Sequence, residues 1–584
     1  MAYQKDIRIP SLPVTQWRTP AENREGELRL IHELNIHPVL ARVMINRNLS
    51  DPEDAHRYLH PSLKDLHNPF LMKDIKKGLE RTIAAVTRRE KIVIYGDYDA
   101  DGITAIVILY DFLTKAGADV TYYIPDRIRE GYGLNRGAID HFKDRGITLI
   151  ITVDCGISDN DEITHASSIG IDTIVLDHHE IPDTLPDAEA VINTNRSDCS
   201  FPFKPMAGVG IAFNFIIALR GRLREMGFWN GKTYPNLKDY LDLVALGTIG
   251  DIVPLIDENR IFAKIGLDLI NRGGRPGIDA LRSVSGAENQ PVDAATASFS
   301  LIPRINAAGR VASAYDAVRL LLARDFSEAL PLARKLDGYN KDRQTMEKNI
   351  LNSILLEIEE TMDIERTPAI VLASPEWHPG VIGIVASKLV DLFYRPAILI
   401  SIKDGIGKGS GRSIQEFNLH RGLANCRVHL LSFGGHRFAG GLSLLEENIE
   451  SFRSALVNSV RQEVCLPHLV PSSIIDARCD LEDITCDLVL QLENLAPYGS
   501  MNPEPIIHAG GVKVAFPTVV GGHHLKMRMV GQKASCPSIW FGKGDIIGAL
   551  RDEKWDILFT PQLNHWNGNT MIQLRLRDMA RSNL

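Results

Sequence analysis

Carboxylates and histidines gather at four points of this chain, each directly after an apolar run. They are Asp97-Tyr98-Asp99-Ala100-Asp101-Gly102 after Lys91 to Tyr95, Asp154 after Leu149 to Val153, Asp177-His178-His179 after Thr173 to Leu176, and Asp251 after Leu241 to Gly250. Ionised groups beside apolar cores are costly unless something compensates them. An oxygen-rich donor set with one or two imidazoles is the mixture that Mn2+ or Mg2+ accepts. The four clusters therefore point to one shared cation site. With this many carboxylates, that site suits two ions, one activating a water and both stabilising an in-line phosphoryl transition state. The chemistry implied is metal-dependent hydrolysis.

Each cluster also has a plainer reading. In an extended segment residues two apart share a face, so Asp97, Asp99 and Asp101 are expected to project toward one locus where a strand turns into a helix. D-x-D-x-D-G also opens an EF-hand calcium loop, but that loop needs Glu at its twelfth position, where this chain has Ile108, and a helix rather than a strand before it. Alone, Asp154 would serve as a helix N-cap, with Ser158 as a rival. Alone, His178 and His179 would be loop histidines and Asp251 a turn residue. Together they are better explained by a parallel sheet, whose strands end along one edge and would bring the first three clusters into the same crevice.

The elements that must hold these groups follow from the patterning. From Lys73 to about Ile192, strands alternate with amphipathic helices, the mark of βαβ units and a parallel sheet covered on both faces. Helical sequence follows, including Gly210 to Met226 and Leu237 to Leu246, then a long helix over Phe326 to Met362 broken only by Pro331 and Gly338. A second α/β unit has strands at Ala369 to Ala373 and Ala397 to Ile400, a helix at Val381 to Leu392, and Gly-rich turns to about Gly441. Short β-prone runs from Ser472 onward predict a barrel, with strands at Lys526 to Val530, Ser538 to Phe541, Ile557 to Phe559 and Met571 to Leu576. The chain thus divides into a wrapping N-terminal extension (1–70) with one helical pattern at Ile31 to Met44, a parallel-sheet α/β domain (71–325), a helical connector (326–366), a smaller α/β domain (367–466) and an all-β barrel (467–584).

The chain has 584 residues, 44% of them hydrophobic and 24% charged, too many for one core and enough for roughly three or four. A formal charge of −8 argues against coating nucleic acid nonspecifically, although cations bound at the acidic clusters would offset it locally. The seven cysteines form no C-x-x-C pair, which suits a reducing cytoplasm rather than a zinc site or a disulfide framework. Met1 to Asp6 lacks an apolar h-region, and no run reaches the roughly 18 apolar residues of a membrane helix. The protein is expected to be neither secreted nor membrane-embedded.

At its acidic clusters the chain resembles the DHH phosphoesterase superfamily, named for the triplet seen here as Asp177-His178-His179. Gly96 to Gly102, Val153-Asp154, the triplet, and Leu246 to Asp251 match its four motifs in order. Within the superfamily it is most similar to the RecJ-type exonucleases, from about Lys73 to the C-terminus. Later landmarks are Arg304 to Arg310, Trp377 to Gly380, Gly407 to Ser413, Gly434 to His436 and Ala496 to Pro505.

The resemblance implies a DHH domain, a DHHA1 domain facing it across a cleft, and an oligonucleotide-binding (OB) barrel. It implies metal contacts from Asp97, Asp99, Asp101, Asp154, His178 and Asp251, with Asp154 bridging two ions. Relatives with a His-x-x-x-Asp first motif carry histidine where this chain has Tyr95, which makes Asp97 a ligand or a neighbour of one. His179 would contact the scissile phosphate. Arg304, Asn306, Arg310, Ser410, Arg412, Gly435 and His436 would bind substrate, several of them around the terminal phosphate, and Lys526, Arg528 and Trp540 would lie along a single strand on the barrel.

The implied activity is a 5′→3′ exonuclease on single-stranded DNA in repair and recombination, releasing 5′-mononucleotides. A single-strand-binding protein and a helicase would be its protein partners. Superfamily enzymes on oligoribonucleotides or cyclic dinucleotides lack the extension and barrel, and silent DHH-like scaffolds lose the carboxylates kept here.

Overall fold

Five short runs rich in Ile and Val form the first sheet, all parallel, in the order Asp119–Tyr123, Lys91–Gly96, Ile147–Val153, Asp172–Leu176, Ala190–Ile192. Alternation sends Ile92, Ile94, Leu149 and Ile151 to one face, under the helices Ile75–Arg88, Ala100–Ala116 and Gly208–Glu225. Val93, Tyr95 and Ile150 go to the other face, against Ile139 and Phe142 of the helix Arg136–Asp144. Register fixes the geometry that matters next. Gly96 pairs with Val153, Val153 with Leu176 and Leu176 with Ile192, so the residues that follow these four strands leave the sheet from one row.

This computed structural model describes residues 15–127, 129–231, 233–464, 470–550, 553–566 and 569–582, and the chain forms two compact units, residues 1–19 with 341–474 and residues 20–340 with 475–584. Pro10, Pro13 and Cys465 lie outside the described residues. The helix Phe326–Thr361 runs through the boundary, with Ala329, Ala333 and Leu336 in the core of the parallel-sheet domain and Ile350, Ile354 and Ile358 in a core of the second unit.

That second unit has a five-stranded sheet ordered Ser432–Gly435, Ala439–Leu445, Ile406–Arg412, Ala397–Lys403, Ile370–Ser374. Here the sequence reading needs correction, because its Gly-rich stretches are strands rather than turns, and Ile406–Arg412 is central. The glycines are there for close packing: a Cβ on Gly407 or Gly409 would lie 2.7 Å from Ile400 Cγ2 or 2.8 Å from Leu442 Cδ1.

The N-terminal extension also differs from expectation. It forms three helices, Arg24–Leu34, Pro38–Asn46 and Pro52–Leu59, because Asn35 turns left-handed at φ 50° and Pro38 starts a new helix. It does not merely wrap, since Leu30, Leu40, Val43 and Met44 share one core with Leu488, Ile507, Ile557 and Phe559. Five strands close into a barrel, Ile507–Val520, His524–Val530, Ser535–Trp540, Asn569–Arg581 and Lys554–Trp566, with the first pairing back to the last. Ile507–Val520 escaped the sequence reading because Gly510-Gly511 and Pro517 interrupt its pattern, and both places are register shifts in the ladder.

Two fully buried side chains of the helix Asp257–Arg272 tie these parts together. Arg260 stacks 4.0 Å from the Tyr58 ring and donates to the carbonyls of Tyr58 (2.8 Å), Leu495 (2.8 Å), Asn494 (2.8 Å) and Ala496 (3.0 Å). It thereby joins the extension, the segment entering the barrel and the sheet domain. Arg260→Ala leaves these carbonyls unsatisfied and should cost on the order of 3–5 kcal/mol in denaturant unfolding. A loss below about 1 kcal/mol would show that water replaces the guanidinium.

Glu258 accepts from the His67 backbone N–H and from Asn214 Nδ2 (2.9 Å). Burial pushes its pKa up to about 7 from 4.5, against the opposing pull of those two hydrogen bonds. A raised carboxyl pKa means the native state holds the proton more tightly. Its contribution is complete below about pH 4.5 and is lost as pH rises through about 7. Glu258→Gln should therefore gain stability relative to the parent between pH 5 and pH 8, by on the order of 1–3 kcal/mol. Equal pH slopes in paired urea titrations would contradict this.

Candidate metal centre

The row of strand ends delivers Asp97 after Gly96, Asp154 after Val153, Asp177 after Leu176 and Asn193 after Ile192. The first motif departs from the sequence expectation. Asp97, Asp99 and Asp101 do not alternate along an extended segment, because the helix begins at Ala100 and takes Asp101 into its first turn. Asp99 is its N-cap, with Oδ1 accepting from Asp101 N (3.0 Å) and Gly102 N (3.2 Å). Asp101 sits in the first turn and accepts from Gly208 N (2.6 Å) and Val209 N (2.8 Å), at the start of the helix Gly208–Glu225. A carboxylate at a helix N-terminus is favoured by the exposed N–H groups there. Gly208 is required by the approach, since a Cβ would lie 2.9 Å from that of Asp154 and 3.0 Å from Asp101 Oδ2.

Asp154 is not a helix cap. It takes a left-handed conformation at φ 58° and is buried, a strained arrangement for a non-glycine residue and one that concentrates at functional sites. Its Oδ1 lies 3.1 Å from His178 Nε2, which is also 3.5 Å from Asp251 Oδ2 and 3.9 Å from Asp101 Oδ2. Asp251 ends the helix Leu241–Gly250. Three overlapping donor sets result, Asp97/Asp99/Asp154, Asp101/His178/Asp251 and Asp154/His178/His179, each with donor atoms within 4.8 Å of one another.

The electrostatics of these groups call for positive charge. Burial, then the neighbouring Asp99, drives the Asp97 carboxyl well above its ordinary range. Burial, then Asp101, does the same to Asp154. Asp101 is pushed up to about 7, by burial and then by Asp251, with His178 opposing. Asp97 Oδ1 is buried without a hydrogen-bond partner among the described residues. An orphaned oxygen amid crowded carboxylates fits a divalent cation, which would supply the missing partner and relieve the repulsion.

Asp177 has a different task. Its Oδ1 accepts from His178 N (2.7 Å), His179 N (3.2 Å) and His179 Nδ1 (2.7 Å), and its Oδ2 from Ile157 N (3.0 Å). Burial alone would raise its pKa, but His179 and these hydrogen bonds hold it at about 2. Burial likewise lowers His179, yet Asp177 outweighs it and raises the imidazole to about 9. The pair fixes the His179 ring and keeps it cationic.

Three neighbours, Tyr132, Asn193 and Asn195, went unnoticed in the sequence. Tyr132 Oη lies 3.0 Å from the Asp154 carbonyl and 3.2 Å from His179 Nδ1. Asn193 and Asn195 donate to the carbonyls of His179 (2.9 Å) and His178 (2.6 Å), and their position after an apolar run was the available signal. Tyr95 faces away from the carboxylates and donates to the Gly133 carbonyl (2.8 Å), anchoring the loop that carries Tyr132. Beside Tyr98, whose ring lies 4.9 Å from the Arg127 guanidinium, a cavity of about 250 Å³ is lined by Tyr123, Gly309 and Tyr315 among others.

The remaining predicted residues divide. Arg304 is held by Asp337 (2.8 Å) and the Ser300 carbonyl, Asn306 Oδ1 accepts from Ala100 N (2.7 Å), and Arg310 is on the same helix, Ile302–Val311, near Tyr98. In the second unit, Ser410 and Arg412 share the central strand, with Arg412 Nη1 3.4 Å from Ser410 Oγ. Gly411, Gly440 and Gly435 are paired across three strands, which brings His436 to the same end of the sheet as Arg412.

Comparison with known proteins agrees with this architecture. The DHH family N-terminal domain matches residues 91–248, the DHHA1 domain residues 366–462 and the RecJ OB domain residues 475–578. The single-stranded-DNA-specific exonuclease RecJ of Bacillus subtilis is 38% identical over 97% of this chain and 71% of its own length, and that of Escherichia coli is 37% identical over 84% and 86%. Among solved structures, RecJ from Thermus thermophilus in complex with Mn2+ superposes with a TM-score of 0.83 at 29% identity, covering 98% of this chain and 80% of that one. With its three domains matched in order and its strand-end carboxylates converging as described, the chain belongs to the RecJ family.

Proposed function

We propose that this protein is a metal-dependent 5′→3′ exonuclease that hydrolyses single-stranded DNA and releases 5′-mononucleotides. The observation that carries the reading is the convergence of Asp97, Asp99, Asp101, Asp154, His178 and Asp251 at one sheet edge, in a chain whose full-length relatives are named single-stranded-DNA-specific exonucleases. The barrel, matched as a RecJ OB domain, supports a long single strand over a small dinucleotide as substrate.

In this reading Asp97, Asp99, Asp101, Asp154, His178 and Asp251 would hold two divalent cations, Mn2+ or Mg2+. When bound, such ions activate a water and neutralise charge developing on the phosphate. Asp101 is oriented by two backbone N–H groups and Asp99 by its capping bonds, so their remaining lone pairs are pre-aimed. His179, held by Asp177 through Nδ1, brings positive charge to a phosphate oxygen. Arg310 adds a guanidinium on the substrate side, and the cavity beside Tyr98 offers room for part of a nucleotide. Ser410, Arg412, Gly435 and His436 read the terminal phosphate, the guanidinium by bidentate contact and the glycines by backbone approach. A single strand must first be separated, which suits a helicase and a single-strand-binding protein as partners, and the six described cysteines, all free thiols, suit a reducing cytoplasm. Among the described residues no helix is long and apolar enough to cross a membrane.

Asp154→Ala and His178→Ala should each lower turnover with Mn2+ by more than about a hundredfold while leaving circular dichroism unchanged. Near-normal rates in either folded variant would refute the two-cation assignment.

Arg412→Ala should cut the preference for a 5′-phosphorylated over a 5′-hydroxyl strand by about tenfold or more, since charge-assisted hydrogen bonds to an anion are lost. Initial rates on 5′-labelled and 3′-labelled strands test both the preference and the polarity. An unchanged ratio of rates would remove Arg412 from terminus recognition.

A further inference from the structure

The helix Ala100–Ala116 begins inside the acidic cluster, so its first N–H groups must find acceptors among oxygens that a cation would also need. Asp99 Oδ1 takes the second and third, from Asp101 and Gly102. The first, Ala100 N–H, goes to Asn306 Oδ1 at 2.7 Å, a partner 206 residues away on the helix Ile302–Val311. That helix is pressed against the same loop. Gly309 approaches the Tyr98 carbonyl so closely that a Cβ would not fit. Its other end is secured by Arg304, bound to Asp337 at 2.8 Å and to the Ser300 carbonyl.

We propose that Asn306 is a positioning residue for the metal-binding loop, capping the helix from outside the cluster so that no carboxylate oxygen is diverted to Ala100 N–H. The inference rests on the two-cation reading above. An amide suits the task because it is a neutral acceptor. It satisfies the N–H without adding another negative charge beside carboxyls that already repel one another. Without it, the Ala100 N–H is free to capture an oxygen of Asp97 or Asp99, and the start of the helix loses the restraint that aims Asp99 and Asp101. Groups that orient metal ligands typically alter metal affinity by about 10–100-fold when removed. Arg304 and Gly309 act with Asn306 by holding its helix in place, which gives these three residues a role in building the centre.

The test uses the full-length chain and Mn2+ alone, titrated by electron paramagnetic resonance of the free ion, with Asp154→Ala as reference. Hydrogen exchange is followed in peptides covering residues 97–103. Asn306→Ala and the similarly sized Asn306→Leu should weaken Mn2+ binding about tenfold and speed exchange at Ala100. Asn306→Asp, which keeps an acceptor oxygen although it adds a charge, should recover the slow exchange at Ala100. Parental Mn2+ affinity in a folded Ala or Leu variant overturns the proposal, as does failure of both to fold, which would assign Asn306 to the fold alone. If the parent binds Mn2+ no better than Asp154→Ala, the two-cation reading itself fails, whereas failure of Asn306 alone leaves that difference intact.

Discussion

Mutual repulsion among carboxylates confined at one sheet edge is the constraint around which this protein is organised. Asp97, Asp101 and Asp154 are buried, and Asp99 and Asp251 stand close enough to raise their proton affinities. Crowding of this kind destabilises a fold unless cations, protons or oriented dipoles offset it. The surrounding structure supplies dipoles, and leaves the rest of the compensation to bound ions.

The dipoles come from helix starts on separate parts of the chain. Gly208 and Val209 donate to Asp101, the helix capped by Asp99 begins within the cluster, and Asn306 reaches its first N–H. The histidines are organised differently. Asp177 spends both oxygens on the backbone and ring of its own loop and on Ile157, while Asn193 and Asn195 hold the carbonyls of the two histidines. One carboxylate of the triplet is thus an orienting group, and the rings it orients differ in charge environment: His178 faces three aspartates, whereas His179 is paired to one.

The barrel is not an appendage on this catalytic half. Its core is completed by the N-terminal helices, and Arg260 binds both to the sheet domain through backbone carbonyls. Hydrogen bonds of that kind depend on geometry rather than on partner side chains, so buried Arg260 helps to specify the interface, together with Glu258 on His67 N–H and the Leu255 N–H bond to the Ser500 carbonyl (2.8 Å). The barrel is therefore carried by a body continuous with the metal centre, while the segment bearing Ser410 and Arg412 belongs to the other unit.

What the amino-acid sequence determined by itself was local and periodic. Apolar runs ending in Asp97, Asp154 and Asp177 announced strands, the sheet they form and the chemistry of their ends, because a period-two pattern and the burial cost of a carboxylate are legible without a fold. The long helix over Phe326–Thr361 was legible for the same reason. The reading failed where a residue answers to a distant partner. The glycines of Ile406–Arg412 pack as strands because Ile400 and Leu442 leave no room for a Cβ, and nothing in the segment itself says so. Asp99 caps a helix and Asp101 enters its first turn, where Asn306 accepts from Ala100 N–H and Gly208 and Val209 donate to Asp101. Arg260 is the same residue type whether it meets substrate or backbone. Only tertiary structure decides which, since the energy of a hydrogen bond depends on which group arrives at the right distance, and arrival over two hundred residues of chain is a property of the fold.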